Sequence, residues 1–210
     1  MTGIGHDAPG AKTIDYRLTT LIKTRPEEEK HFVEKPVYLD FFMGFMVPLE
    51  TPSVGYLPAY ENGYVTFGCL NRFSKVSDES LDLWSSLLKR IPNSKLLFKS
   101  SVLSDLELRG HIVERLSDLG VSSNRVILLG RTSQYKHLNT YNQVDISLDT
   151  FQYGGGATTL ESLCMGTPVV SLTDDSKQAY RYSSSILSPL DLNEWVAKTK
   201  DEYVEIVCNW

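Results

Sequence analysis

From Gly63 onward the chain alternates short apolar runs with segments whose apolar residues recur at helical spacing. Tyr64-Val-Thr-Phe-Gly-Cys69 reads as a buried strand. Ser77 then offers an N-cap hydroxyl, and Asp78 and Glu79 put negative charge in the first turn of a helix. Leu81, Trp84, Leu87 and Leu88 carry its apolar face until Ile91-Pro92-Asn93 stops it. Lys95 to Phe98 starts the next strand. Ser104 with Glu107 has the form of a capping box, and Leu106, Ile112, Val113, Leu116 and Leu119 predict a helix that Gly120 ends.

The alternation continues. Strands are expected at Arg125–Leu129, Val144–Leu148 and Pro168–Leu172, with helices at Ser133–Tyr141, Thr158–Met165 and around Ser176–Ser184. A last helix is expected from Asp191, with Trp195 and Val196 among its apolar positions. Five strand-then-helix units predict a parallel sheet covered on both faces. Right-handed crossovers make that a Rossmann-like, doubly wound α/β domain. The stretch before Gly63 lacks the pattern. Ile14–Leu18 and Val37–Leu39 have the look of strands, Arg25–Lys30 is charged, and Phe41–Met46 is apolar without a sheet of its own. Packing onto the main domain accounts for that run, and so does a partner surface.

Composition narrows the class. The 210 residues suffice for one full domain and an extra piece. With 41% apolar and 22% charged residues, a disordered or fibrous chain is excluded. No apolar run approaches the roughly 20 residues that span a bilayer. Met1–Thr13 carries Gly, Asp and Pro where a signal peptide needs an apolar stretch. A net charge of −5 argues against nucleic acid as a partner held by bulk attraction. Cys69, Cys164 and Cys208 are odd in number, far apart and in no metal motif. They read as buried or free thiols of a reducing compartment, the cytoplasm by default.

Open parallel sheets bind ligands at the carboxyl ends of their strands, and four features converge there. Gly154-Gly-Gly-Ala-Thr-Thr159 stands between a strand and a helix. Its glycines let backbone amides approach a ligand, and the helix start offers unpaired N–H groups. Thr158 and Thr159 add hydroxyls. The loop suits a phosphate or diphosphate, and equally an ordinary flexible turn. Glu161 can accept two hydroxyl hydrogen bonds, as from a ribose, or simply complement the helix dipole. Lys75, in Asn71-Arg-Phe-Ser-Lys75, can reach across the strand ends and neutralise a leaving phosphate, or be a solvated surface lysine. His137 can donate to a phosphate oxygen or move a proton, or pack at the surface. The Gly130-Arg-Thr-Ser133 loop can present backbone groups to a base edge.

In this order the features resemble the C-terminal catalytic half of the O-linked N-acetylglucosamine transferases and their SPINDLY-like relatives. The resembling stretches are Gly63–Asn71 with Lys75, Leu87–Ser94, Asn124–Leu128, Gly130–Ser133 with His137, Val144–Phe151, Gly154–Thr159 with Glu161, and Met165–Val170. Ile14–Tyr16 and Val33–Lys35 resemble the segment just upstream. The resemblance implies the C-terminal, nucleotide-sugar domain of a GT-B glycosyltransferase. Such enzymes take UDP-N-acetylglucosamine as donor substrate, modify Ser or Thr of proteins with inversion, and need no metal and no cofactor.

It further implies that Lys75 is catalytic, contacting the diphosphate and stabilising the leaving group. His137 falls on a donor-binding histidine. Gly154, Gly155, Gly156, Ala157, Thr158 and Thr159 would form the phosphate loop, with Glu161 on the ribose. Arg131, Thr132 and Ser133 would lie near the uracil. Arg181 falls in a Ser-Arg-Val-like stretch. Residues 1–62 would be an interdomain or linker segment, and 63–210 the UDP-sugar-binding domain.

Departures matter too. Thr140 stands where the animal enzymes have a basic residue, Gln134 where they have a lysine, and Ala157 where bacterial members have a threonine. These bear on donor identity and leave open a GDP-fucose donor or a non-catalytic nucleotide-sugar-binding module. The family's tetratricopeptide repeats, N-terminal catalytic half and closing helices are absent from the sequence. The expectation is a chain that binds UDP weakly and has little or no transferase activity alone, unless a partner supplies the N-terminal half.

Overall fold

The computed structural model describes residues 9–41, 45–174 and 176–210. Its main body is a parallel sheet built from β3 (Val65–Cys69), β4 (Ser94–Lys99), β5 (Val126–Leu129), β6 (Ile146–Leu148), β7 (Val169–Leu172) and β8 (Val196–Ala197). Before it come β1 (Tyr16–Thr19), β2 (Lys35–Tyr38) and the short helix α1 (Pro58–Asn62). The main-sheet order is β5-β4-β3-β6-β7-β8, with Phe67 opposite both Leu96 and Ile146. The chain winds out from β3 to one edge, returns to β6 beside β3, and winds out to the other edge. That is the doubly wound α/β arrangement the alternation predicts.

The strands form because they are apolar on both faces. Leu96 and Leu97 are fully buried, yet they enter different cores. Leu96 and Phe98 pack with Phe67 against Trp84, Leu87 and Leu88 of α2 (Asp78–Arg90). Leu97 packs with Leu138, Tyr141 and Val144 on the other face. Each such side chain contributes roughly 1.5–3 kcal/mol by leaving water. Ser77 caps α2 through Ser80 N, as its position predicts.

Helix α3 (Leu106–Asp118) differs at its start. Asp105, not Ser104, is the N-cap, and its carboxylate accepts from Glu107 N at 2.9 Å and Leu108 N at 3.3 Å. The Ser104 hydroxyl instead accepts from Arg131 N at 3.2 Å. Helices α4 (Gln134–Asn139) and α5 (Ala157–Cys164) lie where helices were expected.

The region after β7 departs most. In place of one helix over Ser176–Ser184 there is a 3-10 turn, Gln178–Arg181, and then α6 (Ser184–Leu187). Ser184 and Ser185 bond back to the carbonyls of Arg181 and Tyr182, which competes with a regular helical ladder. Asp191 caps no helix. It takes a left-handed conformation, φ 59°, at the end of a 3-10 turn. Trp195 closes another 3-10 turn, and Val196 opens the edge strand β8. The last helix is α7 (Lys200–Asn209), capped by Thr199 Oγ1 accepting from Glu202 N at 3.1 Å.

Upstream, β1 and β2 form a small parallel pair. Phe41 and Phe45 pack against Leu160, Tyr182 and Ile186, while Met46 is exposed. Phe42 to Gly44, the middle of the apolar run, and Met1 to Ala8 lie outside the described residues. Cys69 is buried and Cys164 and Cys208 are half-buried, all three free. Among the described residues no helix is long and apolar enough to cross a membrane.

Candidate functional site

The sheet order reverses between β3 and β6, so their carboxyl ends part and leave a crevice. Two polar side chains line its floor. Asn71 follows β3 and Asp149 follows β6, and Asn71 Nδ2 donates to Asp149 Oδ1 at 3.1 Å. Asp149 Oδ1 also accepts from Gly155 N at 2.8 Å, and Oδ2 accepts from the hydroxyls of Ser171, at 3.0 Å, and Ser183. Burial pushes the Asp149 pKa up, against the opposing pull of these donors and of the Lys75 charge. The carboxylate thereby anchors the glycine loop from below.

That loop is cramped. A Cβ on Gly155 would stand 2.6 Å from Thr159 Oγ1 and 2.9 Å from Asp149 Oδ1, and one on Gly154 would stand 2.7 Å from Ser183 Oγ. Glycine is required at both positions because neighbouring side chains close on the backbone. Gly156 precedes α5, and no side chain caps that helix. Its first amides are thus left for an anion. Thr158 donates to Asn71 Oδ1 at 2.7 Å, which ties the helix start to the β3 end. Thr159 is buried, and its hydroxyl has no hydrogen-bond partner.

Lys75 ends the 3-10 turn Phe73–Lys75 just beyond β3. Its Nζ donates to Gly154 O at 2.9 Å and lies 4.4 Å from the centroid of the Tyr153 ring. Partial burial lowers its pKa, an effect the Asp149 charge opposes. The ammonium therefore stands at the mouth of the glycine loop.

On the other side of α5, His137 Nε2 lies 3.1 Å from Glu161 Oε2. Their side chains are 27% and 19% exposed, enough for a ligand to reach both. Tyr141 supports the pair. Its hydroxyl is 3.1 Å from Thr158 O and 3.5 Å from Glu161 Oε2, and its ring meets His137 edge to face. Beyond His137 opens a cavity of about 340 Å³ whose lining includes Leu70, Lys99, Gly130, Arg131, Thr132 and Gln134. Arg131, Thr132 and Ser133 are exposed on that side. Ser133 serves as the N-cap of α4. Thr140 is buried and donates to Lys136 O at 2.9 Å.

The structure thus gathers Lys75, Gly154 to Thr159, Glu161 and His137 along one crevice, with Arg131 to Ser133 at its far rim. Sequence reasoning gave no role to Asn71, Asp149, Tyr141 or Ser183. An acid directly after an apolar strand was a readable signal for Asp149. Tyr141 and Ser183 reach the site only through the tertiary path. Among the described residues no group of three or more His, Cys, Asp or Glu is placed to hold a metal ion.

The fold is that of a Rossmann-like domain of a GT-B glycosyltransferase. Residues 55–210 match the family model described as Glycosyl transferase family 41, and the chain belongs to that family. It is 37% identical to the probable UDP-N-acetylglucosamine–peptide N-acetylglucosaminyltransferase SPINDLY of Arabidopsis thaliana, over 98% of this chain and 23% of that protein. The corresponding protein of Hordeum vulgare is 36% identical over 98% of this chain and 22% of its own length. The chain therefore spans less than a quarter of these relatives. Among solved structures, a mutant of the Thermobaculum terrenum O-GlcNAc transferase superposes with a TM-score of 0.87 at 32% identity. That match covers 94% of this chain and 37% of the other. A sucrose-phosphate synthase from Thermosynechococcus elongatus, at 15% identity and a TM-score of 0.56, shares the fold alone.

Proposed function

We propose that the chain is the donor-binding half of an inverting, metal-independent protein O-N-acetylglucosaminyltransferase, taking UDP-N-acetylglucosamine. The observation that carries this reading is the meeting of Lys75, the amide-rich Gly154–Thr159 loop and the His137–Glu161 pair in one crevice. Their chemistry is sorted along its length. A diphosphate suits the end with a cation and uncapped helix amides. A ribose suits the carboxylate of Glu161, which accepts hydroxyl hydrogen bonds. A base suits the cavity beside His137, with Arg131, Thr132 and Ser133 at its edge. The names of the relatives support the same donor and a peptide acceptor.

In the reaction, a Ser or Thr hydroxyl of the acceptor attacks the anomeric carbon while the bond to the diphosphate breaks. Negative charge grows on the departing phosphate oxygen. Lys75 and the first amides of α5 stabilise that charge without a metal or other cofactor. Lys75 now donates to Gly154 O, so a donor phosphate would exchange for that carbonyl. The acceptor side and the base that takes the hydroxyl proton would come from an N-terminal catalytic half outside the 210 residues. Alone, the 210 residues would bind UDP weakly and transfer little or no sugar. Its free thiols suit a reducing compartment such as the cytoplasm.

Calorimetric titration with UDP and GDP tests the reading. Binding of UDP above GDP, weakened about tenfold by Lys75→Ala, is expected for a half-exposed lysine on a diphosphate. GDP above UDP would move the assignment to a GDP-sugar such as GDP-fucose. No binding of either would leave a non-catalytic module. Robust protein glycosylation by the purified chain would refute its dependence on another half.

A further inference from the structure

The glycine loop is steadied by residues from the distant N-terminal segment. Arg181, the last residue of the Gln178–Arg181 turn, is 2% exposed. Its Nε donates to Ile22 O at 3.0 Å, and its Nη2 to Lys23 O at 3.0 Å and to Glu28 Oε1 at 2.7 Å, with Glu28 Oε2 also in contact. From the same turn, Gln178 Nε2 donates to Thr24 Oγ1 at 2.8 Å. A buried guanidinium is costly to desolvate and persists only where acceptors surround it. Residues 22–28 provide four of its acceptor atoms.

The other side of this turn walls the loop. Ala179 O accepts from Gly154 N at 3.5 Å. Ser183, two residues after Arg181 and fully buried, places its Oγ against Asp149 Oδ2 and 2.9 Å from Gly155 O. Three consecutive glycines have the largest backbone entropy to lose, so their order depends on such walls. A loop already ordered binds its ligand without that loss.

We propose that Arg181, held by Glu28, is a positioning residue that fixes the glycine loop for its ligand through Ser183. The inference rests on reading that loop as the diphosphate site. It makes the N-terminal segment a determinant of donor affinity from behind the crevice.

The test combines amide hydrogen exchange with UDP calorimetry on the full chain. Glu28→Gln keeps the side chain's shape and removes its charge. Expected is exchange at Gly154 and Gly155 about tenfold faster relative to Leu96 and Phe98 in β4, since local opening is read against a stable strand. UDP affinity should fall about three- to tenfold. Ser183→Ala should give the same pattern, and the two changes should combine less than additively because they act on one chain of contacts. Wild-type exchange at Gly154 and Gly155 in Glu28→Gln would overturn the proposal. Should Glu28→Gln fail to fold, wild-type exchange in Ser183→Ala would overturn it instead. If the unaltered chain binds neither UDP nor GDP, the diphosphate reading fails, and the exchange ratios alone still decide the linkage.

Discussion

Replacing Gly155 by alanine probes how tightly the loop is built. The added Cβ would stand 2.6 Å from Thr159 Oγ1, 2.9 Å from Asp149 Oδ1 and 2.9 Å from Thr158 Oγ1. Thr159 can give way by rotation, because its hydroxyl has no partner to lose. The other two cannot. Asp149 is held by Asn71, Ser171 and Ser183, and Thr158 by Asn71. Relief must therefore come from the backbone, which stretches the 2.8 Å bond from Gly155 N to Asp149. Overpacking of this kind costs about 1–3 kcal/mol. The strained hydrogen bond to a carboxylate is part of that same displacement and is not added to it. Restriction of the unfolded chain returns about 0.4–1 kcal/mol. The net loss is centred near roughly 1.3 kcal/mol, or about 3–5 °C in melting temperature for a chain of this size. Gly110→Ala is the matched control. It lies in α3 with nothing within 4 Å of the new Cβ, and it should stabilise by about 0.5–1 kcal/mol. Melting curves with and without excess UDP read both effects. UDP should raise the melting temperature of the unaltered chain and of Gly110→Ala, but not of Gly155→Ala. Gly155→Ala melting at or above the unaltered chain, with its UDP shift intact, would refute the reasoning.

Three further outcomes are expected. Burial lowers the Lys75 pKa below its ordinary 10.5. Between the two values the unfolded chain holds the proton more tightly, so rising pH favours the fold at this residue while removing the charge a diphosphate needs. UDP affinity should thus fall across that window in the unaltered chain, and flatten in Lys75→Met, by parallel titrations. On the proposed ribose role of its carboxylate, Glu161→Ala should weaken UDP about tenfold while leaving inorganic pyrophosphate unchanged; equal loss of both ligands would count against that assignment. For Glu28, burial raises the pKa, but hydrogen bonds from Arg25 and Arg181 outweigh it and leave the value below the ordinary 4.5. Its stabilisation is full above that ordinary value and disappears as pH falls through the lower folded one. Denaturation midpoints from pH 6 to 3 should therefore fall more steeply for the unaltered chain than for Glu28→Gln.

How much the sequence revealed depended on where the stabilising contacts lie. The central strands were legible because burial on both faces makes them apolar runs, as Leu96 to Phe98 illustrate. The start of α2 was legible because Ser77, Asp78 and Glu79 act within a single turn. Residues 176–197 were not. There Ser184 and Ser185 turn their hydroxyls onto the backbone, Arg181 is drawn toward carbonyls some 158 residues away, and β8 is only two residues long. Local spacing cannot register any of these. The site divides in the same way. Gly154 to Gly156, Lys75 and Glu161 announce themselves by residue type beside a strand or helix end. Asp149 and Ser183 matter through what they hold in place.

That division bears on where the functional unit begins. The family model matches residues 55–210, and the crevice residues named above fall inside that range. The contacts that order the crevice do not stop there. Glu28 grips Arg181, the turn bearing Arg181 carries Ser183, and Ser183 meets both Asp149 and the Gly155 carbonyl. The relatives share sequence over 98% of this chain, upstream segment included. Cutting at residue 55 would remove the acceptors that Ile22, Lys23 and Glu28 give Arg181 and expose a charge that the fold now buries. The segment around β1 and β2 is therefore better viewed as a support behind the crevice than as an appendage to it, because the glycine loop has too little side-chain packing of its own to hold one shape.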